Sequence, residues 1–401
     1  MAEKAFNGVK VLDCTRGIAG PYCTKLLADF GAEVIKIEKP GEGDVTRRMG
    51  PFLGDEPNPE KSGPFFYLNT NKKGITLNLE NETGVKIFKE LARGADVLVE
   101  DFEPGKLSEL GLSYETLKKL NPRLVMNSIS DFGQTGPYRH YEATNLTLSG
   151  LGGAMYASRP ANKPTDRPVV EGGLQSEYVT GLLSFIATVA ALVNQVRSDR
   201  GVRIDISAIE CVASTLGGHV AEYPYMGLSR RTSPWAIHGY PIGYSAPCKD
   251  GWISLTPGIG GAPNIPFLIG KPELQDDPLF AKPSARMAEP EKFDALILPW
   301  LQERGKWEVT KEAQELRLAF TPVLSPGELL EDEQLKAREF FVEADHPVMG
   351  KVKYPGAPAK LSETSWQKGR APLLGEHNVE IYGQLGYSEK KLVQLREEGV
   401  I

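Results

Sequence analysis

Cysteine is scarce in this chain. There are four in 401 residues, Cys14, Cys23, Cys211 and Cys248. None forms a CxxC pair, so neither a metal ribbon nor a disulfide scaffold is expected, and the thiols read as reduced. The five histidines show no HxxxH or HExxH spacing, so no metal site is expected. Two nucleotide-binding signatures are missing as well: no GxGxxG follows the first strand, and there is no Walker motif. Long hydrophobic runs are absent. The longest, LLSFIATVAALV from Leu182 to Val193, is too short for a bilayer and reads as a buried helix. The opening MAEKAFNGVKVLDC lacks the apolar core of a signal peptide. A cytoplasmic protein without a membrane partner is therefore expected. Positive charge is not in excess either, with 46 Lys and Arg against 52 Asp and Glu. A net charge of −6 gives no general attraction for nucleic acid. Any anionic ligand has to be held by a local basic cluster.

What is present is an ordinary soluble composition, 24% charged and 41% hydrophobic. The length suggests two or three domains. The first half alternates strand and helix signals: VKVLDCT, then PYCTKLLADFG, then EVIKIEK, KGITLNL, ENETGVKIFKELARG, ADVLVEDF and LVMNSISDF. Asn81 and Glu82 open one helix and Gly94 closes it, as capping chemistry requires. This rhythm predicts an α/β protein with a parallel sheet covered on both faces. Ligands of such sheets sit beyond the carboxyl ends of the strands. Those ends carry CTRGIAGP, EKPGEGD, EDFEPG and SDFGQTGP, all polar Gly/Pro turns. Helices are expected over Glu177 to Ser198 and from about Ile204 to Leu216. From Gly227 to Ser325 the chain turns rich in Pro, Gly and aromatics. It includes YSAPCKDGWISLTPG, two strands turned at Lys249-Asp250-Gly251, and reads as a smaller second domain.

The stretch GGLQSEYVTGL, Gly172 to Leu182, places one acidic residue, Glu177, at a loop-to-helix junction. Taken alone, an acid in a first helical turn is ordinary dipole chemistry. A carboxylate is also a nucleophile that needs no general base, because it is ionised at neutral pH.

Four segments together carry a resemblance. GVKVLDCTRGIAGPYCTKLLADFGAEVIKIEKPGEGDVTR, FFYLNTNKKGITLNL, SDFGQTGPY and the tail PLLGEHNVEIYGQLGYSEKKLVQLREEGVI, in that order, resemble the class III CoA-transferases. The resemblance implies a Rossmann-like large domain with its parallel sheet built from both chain ends, a small α+β domain inserted, and an interlocked dimer. In this sequence that gives residues 1–200 as the first part of a large CoA-binding domain and 201–226 as a linker helix. Residues 227–325 would form the small domain, and 326–401 the return to the large one. The implied ligands are coenzyme A or an acyl-CoA and a carboxylic acid. The implied partner is a second copy or a homologous subunit.

In the family an aspartate just before a long apolar helix attacks the acyl-CoA carbonyl. Glu177 falls at that position, a departure that keeps the carboxylate and lengthens the arm by one methylene. The resemblance places Arg16, Ile18, Ala19, Lys39, Asn71, Lys72, Lys73 and Asp101 at the CoA. Arg47 and Arg48 are further candidates. Asp101 departs from the family's amide in an ENF-like stretch, and a second anion beside CoA needs neutralising. Asn145 stands where many members carry an aspartate, and Thr144 where the related racemases carry a histidine. Gly258, Gly260 and Gly261 resemble a glycine-rich loop that covers the site. Arg230 and Arg231, with Tyr240 and Tyr244, are candidates to face a carboxylate on the acyl group. His238 receives no catalytic role.

Overall fold

A computed structural model describes residues 4–158, 167–227, 244–256, 261–282, 285–286 and 289–401. Two compact units emerge. The larger comprises Met1–Ala154, Glu171–Gly217 and Lys336–Ile401, and the smaller Met155–Val170 and Gly218–Leu335.

The larger unit is built on six strands: β1 (Lys10–Cys14), β2 (Glu33–Glu38), β3 (Lys73–Thr76), β4 (Val97–Glu100), β5 (Val125–Ser130) and β6 (Arg203–Ser207). All pair in parallel, in the order β3-β2-β1-β4-β5-β6. The order reverses between β1 and β4, the switch point where doubly wound sheets bind ligands. Side chains alternate across the sheet, as strand geometry dictates. Leu12, Ile37, Ile75, Leu98 and Met126 pack on one face with helices α2 (Glu82–Arg93), α3 (Tyr114–Leu120), α6 (Asn378–Gln384) and α7 (Glu389–Glu397). Val11, Val34, Val97, Val99 and Val125 pack on the other with α1 (Ala19–Asp29) and α4 (Gln175–Ser198).

Three expectations are corrected here. The parallel sheet is not built from both chain ends, because all six strands lie between Lys10 and Ser207. The C-terminal segment supplies α6, α7 and an antiparallel hairpin, β10 (Phe341–His346) with β11 (Gly350–Pro355). Its Ile381, Tyr382, Leu392 and Leu395 complete the first face instead. Second, the segment read as one helix from about Ile204, within a linker helix, opens as strand β6. Its RIDIS alternation, with Ile204 and Ile206 on one side, is a period-2 pattern that the sheet takes up. Helix α5 (Ala208–Ser214) starts only after it. Third, the run read as a buried helix belongs to the 24-residue helix α4, which is long and apolar enough by length and composition alone to cross a membrane and is buried on one face only. Its packing is that of a core helix on one face only. Asn127 Nδ2 on β5 donates to Ser184 Oγ and Thr188 Oγ1 at 2.8 Å each. The opposite face leaves Leu182, Ile186, Val193 and Val196 exposed.

The smaller unit has a three-stranded antiparallel sheet, β7 (Tyr244–Cys248), β8 (Gly251–Thr256) and β9 (Ala319–Pro322), in that order. The tight turn at Lys249-Asp250 joins β7 to β8. The Asp250 carboxylate accepts the Lys306 amide at 2.7 Å. Ile253, Leu255, Phe293, Ile297, Leu301 and Phe320 fill its core with the helices Pro290–Gln302 and Lys306–Glu315.

Candidate active site

Beyond the carboxyl ends of β1 to β4 lies a cleft of about 230 Å³. Arg16 enters it from the turn after β1, Lys39 and Arg48 from the segment after β2, and Phe102 and Lys106 from the segment after β4. Gly17 makes the first turn possible with φ +72°. The Arg16 guanidinium sits 5.9 Å from the centre of the Phe102 ring. Lys39 and Glu42 form an exposed pair at 2.7 Å. Arg16, Lys39, Arg48 and Lys106 therefore edge a cleft with an aromatic wall, in which Glu42 pairs with Lys39 and Asp44 with Lys36 while Glu38 and Glu80 also line it. This is a setting for a phosphorylated ligand with a planar group.

A buried charge network underlies this cleft. Asp13 accepts from Thr15 Oγ1 at 2.6 Å and Thr24 Oγ1 at 2.7 Å, and pairs with Lys72 at 2.9 Å. Lys36 pairs with Asp44 at 2.7 Å and lies 3.9 Å from Asp13. Burial opposes the charge on Asp13, yet Lys36, Lys72 and the two hydroxyls hold its carboxyl well below the usual range. Burial also pushes the Lys72 ammonium down to about 8, against the pull of Asp13. The two directions differ, and we take the pair as ionised, because Asp13 has two cations and two hydroxyl donors around it. Arg47 is fully buried in a two-pronged pair with Glu38 and a third contact to Glu60, each at 2.7–2.8 Å.

The structure thus divides the expected CoA residues. Arg16 and Lys39 line the cleft together with Arg48. Lys72 is spent below its floor, held by Asp13, Asn69 and the Pro21 carbonyl. Asn71 donates to Asp29 and to the Gln367 carbonyl. Lys73 starts β3, at the amino end of the sheet, and pairs with Glu33 and Glu380. These three came from the resemblance, through the segment FFYLNTNKKGITLNL. Strand direction and side-chain orientation turn all three away from the cleft. Asp44, Lys36 and Lys106 were not singled out in the sequence. Their signal was position, since all three sit in or beside the quoted strand-end segments.

A second group of residues gathers where α1 and α4 begin. Glu177 lies in the first turn of α4, and its half-buried carboxylate faces the backbone amide of Ala19, the first residue of α1. Burial and the neighbouring charge of Asp131 push its carboxyl above the ordinary value, while the Ala19 amide pulls it down. Asp131, just past β5, is anchored by the Ala143 amide at 2.9 Å. It was quoted as a loop residue and given no role. The chain enters α4 through Leu174, a non-glycine residue with φ +57°, a conformation that costs about 1–3 kcal/mol and is typical of functional segments. Asn145 steadies this entry, its side-chain oxygen accepting the Ser176 amide at 3.0 Å. Thr144 caps the helix Asn145–Leu151.

The turn linking cleft and carboxylate is held by acids on three sides. The Arg16 amide donates to Asp101 Oδ2 at 2.6 Å and the Gly17 amide to Asp44 Oδ1 at 3.2 Å, while the Ala19 amide faces Glu177. Ile18, between them, is buried. Asp101 therefore sits behind the turn and does not line the cleft. Of the glycine-loop candidates, Gly261 precedes a short turn, Ala262–Asn264, in the smaller unit. Gly258 and Gly260 lie outside the described residues, as do Arg230, Arg231, His238, Tyr240 and the side chain of Tyr244. Among the described residues no group of His, Cys, Asp and Glu is arranged to hold a metal ion.

Fold and site define an α/β protein with a charged cleft edged by arginines and lysines at its switch point and a half-buried carboxylate behind the same turn. Residues 6–378 match the profile of CoA-transferase family III. The chain is 35% identical to formyl-CoA:oxalate CoA-transferase of Streptomyces coelicolor, over the full length of both. It is 34% identical to the subunit BbsE of succinyl-CoA:(R)-benzylsuccinate CoA-transferase of Thauera aromatica, covering 99% of this chain and 98% of that one. A CAIB/BAIF family protein from Brucella suis has a similar structure, with a TM-score of 0.85 and 30% identity over 96% of this chain and 100% of the other. This chain belongs to the class III CoA-transferases.

Proposed function

We propose that this chain moves coenzyme A from an acyl-CoA to a second carboxylic acid, with Glu177 as the covalent carrier. The observation that supports it most is the placement of Glu177 at the amino end of α4 against the first amide of α1. The helix end favours the anion, and partial burial makes the carboxylate more basic than a free one. Its oxygen attacks the thioester carbonyl, the C–S bond breaks, and the CoA thiolate leaves a mixed anhydride on Glu177. The thiolate then attacks the glutamyl carbonyl and releases the first acid, leaving a glutamyl-CoA thioester. The second acid attacks that thioester to give a new anhydride. The thiolate finally takes the acceptor's acyl carbon and frees Glu177. Each step passes the acyl group between covalent carriers, which retains the thioester energy so long as water is kept out. Arg16, Lys39, Arg48 and Lys106 bind the phosphates, with Phe102 beside them.

The test is mass spectrometry of the purified chain after incubation with a panel of acyl-CoAs. A CoA adduct on the peptide holding Glu177, absent in Glu177→Gln, is expected. Binding of CoA without any adduct would sink this reading. That result would favour a second one, a CoA-binding subunit whose homologous partner carries the family aspartate. The departure from aspartate to Glu177 and the similarity to BbsE support it. An acyl-CoA racemase would need an acid/base pair, and Thr144 is engaged in capping.

The dimer implied by the family finds support in α4. Leu182, Ile186, Val193 and Val196 are exposed and fall on one helical stripe. An apolar stripe of that length on a water-soluble chain calls for a partner surface.

A further inference from the structure

Asp101 and Asp13 are both carboxyls tucked beneath the same end of the sheet, and their surroundings differ sharply. Asp13 has two lysines and two hydroxyl donors. Asp101 has one hydrogen bond, from the Arg16 amide to Oδ2, and its Oδ1 is buried without a partner. The charged and titratable groups facing it are few. From β1 and its turn come Cys14 and Arg16, from β2 Lys36, and from the segment after β2 Asp44. Lys36 is already committed to Asp44 and to the Thr15 carbonyl. Arg16 points into the cleft beside Phe102. A half-buried carboxyl with one oxygen buried and unpartnered keeps its proton.

We propose that Asp101 is a positioning residue that works as a neutral acid, fastening the Arg16–Ala19 turn between the CoA cleft and Glu177, and that its ionisation releases the turn. The neutral acid accepts the Arg16 amide without placing an anion behind a cleft meant for phosphates. Ionised, its buried and unpartnered Oδ1 would need donors or water, and a shift of the turn bonded to Oδ2 would supply them. That turn carries Arg16 into the cleft and presents the Ala19 amide to Glu177. Burial pushes the Asp101 carboxyl up to about 8, so the release falls in mildly alkaline solution. An asparagine keeps the same acceptor and cannot ionise, so it should rescue the turn at every pH.

The inference rests on the CoA-binding reading for one of its two measurements only. The first is calorimetric binding of S-ethyl-coenzyme A, a thioether with no titrating thiol, from pH 7 to pH 9. If only the neutral form is competent, wild-type affinity falls about tenfold over that range. Asp101→Asn should change less than twofold, and Asp101→Ala should bind weakly throughout. The second needs no ligand: hydrogen–deuterium exchange of the peptide spanning Thr15 to Ala19, corrected for intrinsic rates. Protection should drop above about pH 8 in wild type and persist in Asp101→Asn. An equal alkaline loss in Asp101→Asn, or no loss in wild type, overturns the proposal. If wild type binds no S-ethyl-coenzyme A at any pH, the CoA reading fails, and the exchange result alone decides the role of Asp101.

Discussion

Gly181 of α4 lies directly on the carbonyl oxygen of Ala19: a Cβ built at Gly181 would come 2.5 Å from that oxygen and 3.1 Å from Tyr22. The two helices that frame the candidate site touch backbone to backbone here. Tyr22 and Tyr178 close the same contact edge to face, with ring centres 4.9 Å apart. Since the Ala19 amide also faces the Glu177 carboxylate, packing and chemistry share one residue. Gly181→Ala should therefore destabilise the fold by about 1–3 kcal/mol through overpacking, read from its urea midpoint. It should also slow adduct formation on Glu177 by more than the stability loss explains, because the helices separate where the carboxylate sits.

Glu177 itself gives a pH-dependent prediction with a definite sign. Its carboxyl is raised in the folded chain, so the native state holds the proton more tightly than the unfolded one. Stability should then fall as pH rises from the ordinary glutamate value of 4.5 towards the raised one, and level off above it. Glu177→Gln should remove that slope, which thermal melts across the range would show. Adduct formation has the opposite dependence, rising with pH as the nucleophile ionises, with a midpoint above 4.5. Glu177→Asp restores the family residue but draws the carboxylate back by about 1.5 Å. A site re-spaced for glutamate should lose roughly 100-fold in rate, whereas a gain would mark Glu177 as a relic.

Much of the fold was legible because the signals are local. Gly31 and Gly94 stop helices, Asn81 starts one, and the strands between them are short apolar runs. The place of Glu177 at a helix start was legible from the residues, and its candidate role came only from the resemblance, since an acid in a first turn says nothing by itself. What stayed hidden depends on direction and on distant partners. Lys72 and Lys39 look alike in sequence, yet one faces Asp13 under the floor and the other faces solvent beside Glu42. Lys73 sits at the wrong end of its strand to meet a ligand. Asp131 matters through the field it exerts on Glu177 from the end of a different strand, which no local pattern records.

The contrast between those lysines can be measured. Lys72→Met leaves Asp13 buried beside one cation fewer, and breaking such a pair costs about 3–5 kcal/mol. The unfolding midpoint should move strongly. Any loss of CoA affinity should follow from the lowered folded fraction. Lys39→Ala should leave the midpoint where it is and weaken S-ethyl-coenzyme A binding by about tenfold at low ionic strength. Added salt should shrink that difference, as it does for exposed charges. If Lys72→Met melts like wild type but loses the ligand, the assignment of Lys72 to the buried network is wrong.

The exposed stripe of α4 makes the sharpest statement about assembly. Ile186 lies near its middle, and 53% of its surface is open to water in the single chain. The other side of the same helix is fixed in place by Ser184 and Thr188, so a change at Ile186 leaves the internal packing alone. A charge there would be buried without a partner if a second subunit covers the stripe, and desolvating it costs several kcal/mol. Ile186→Glu should consequently keep the wild-type circular dichroism while lowering the mass seen by light scattering from about twice 43.9 kDa to that of one chain. A wild-type chain that already runs as a monomer would rule out self-pairing through this face. Purification from its source should then recover a homologous subunit in its place, and Ile186→Glu should release that partner too.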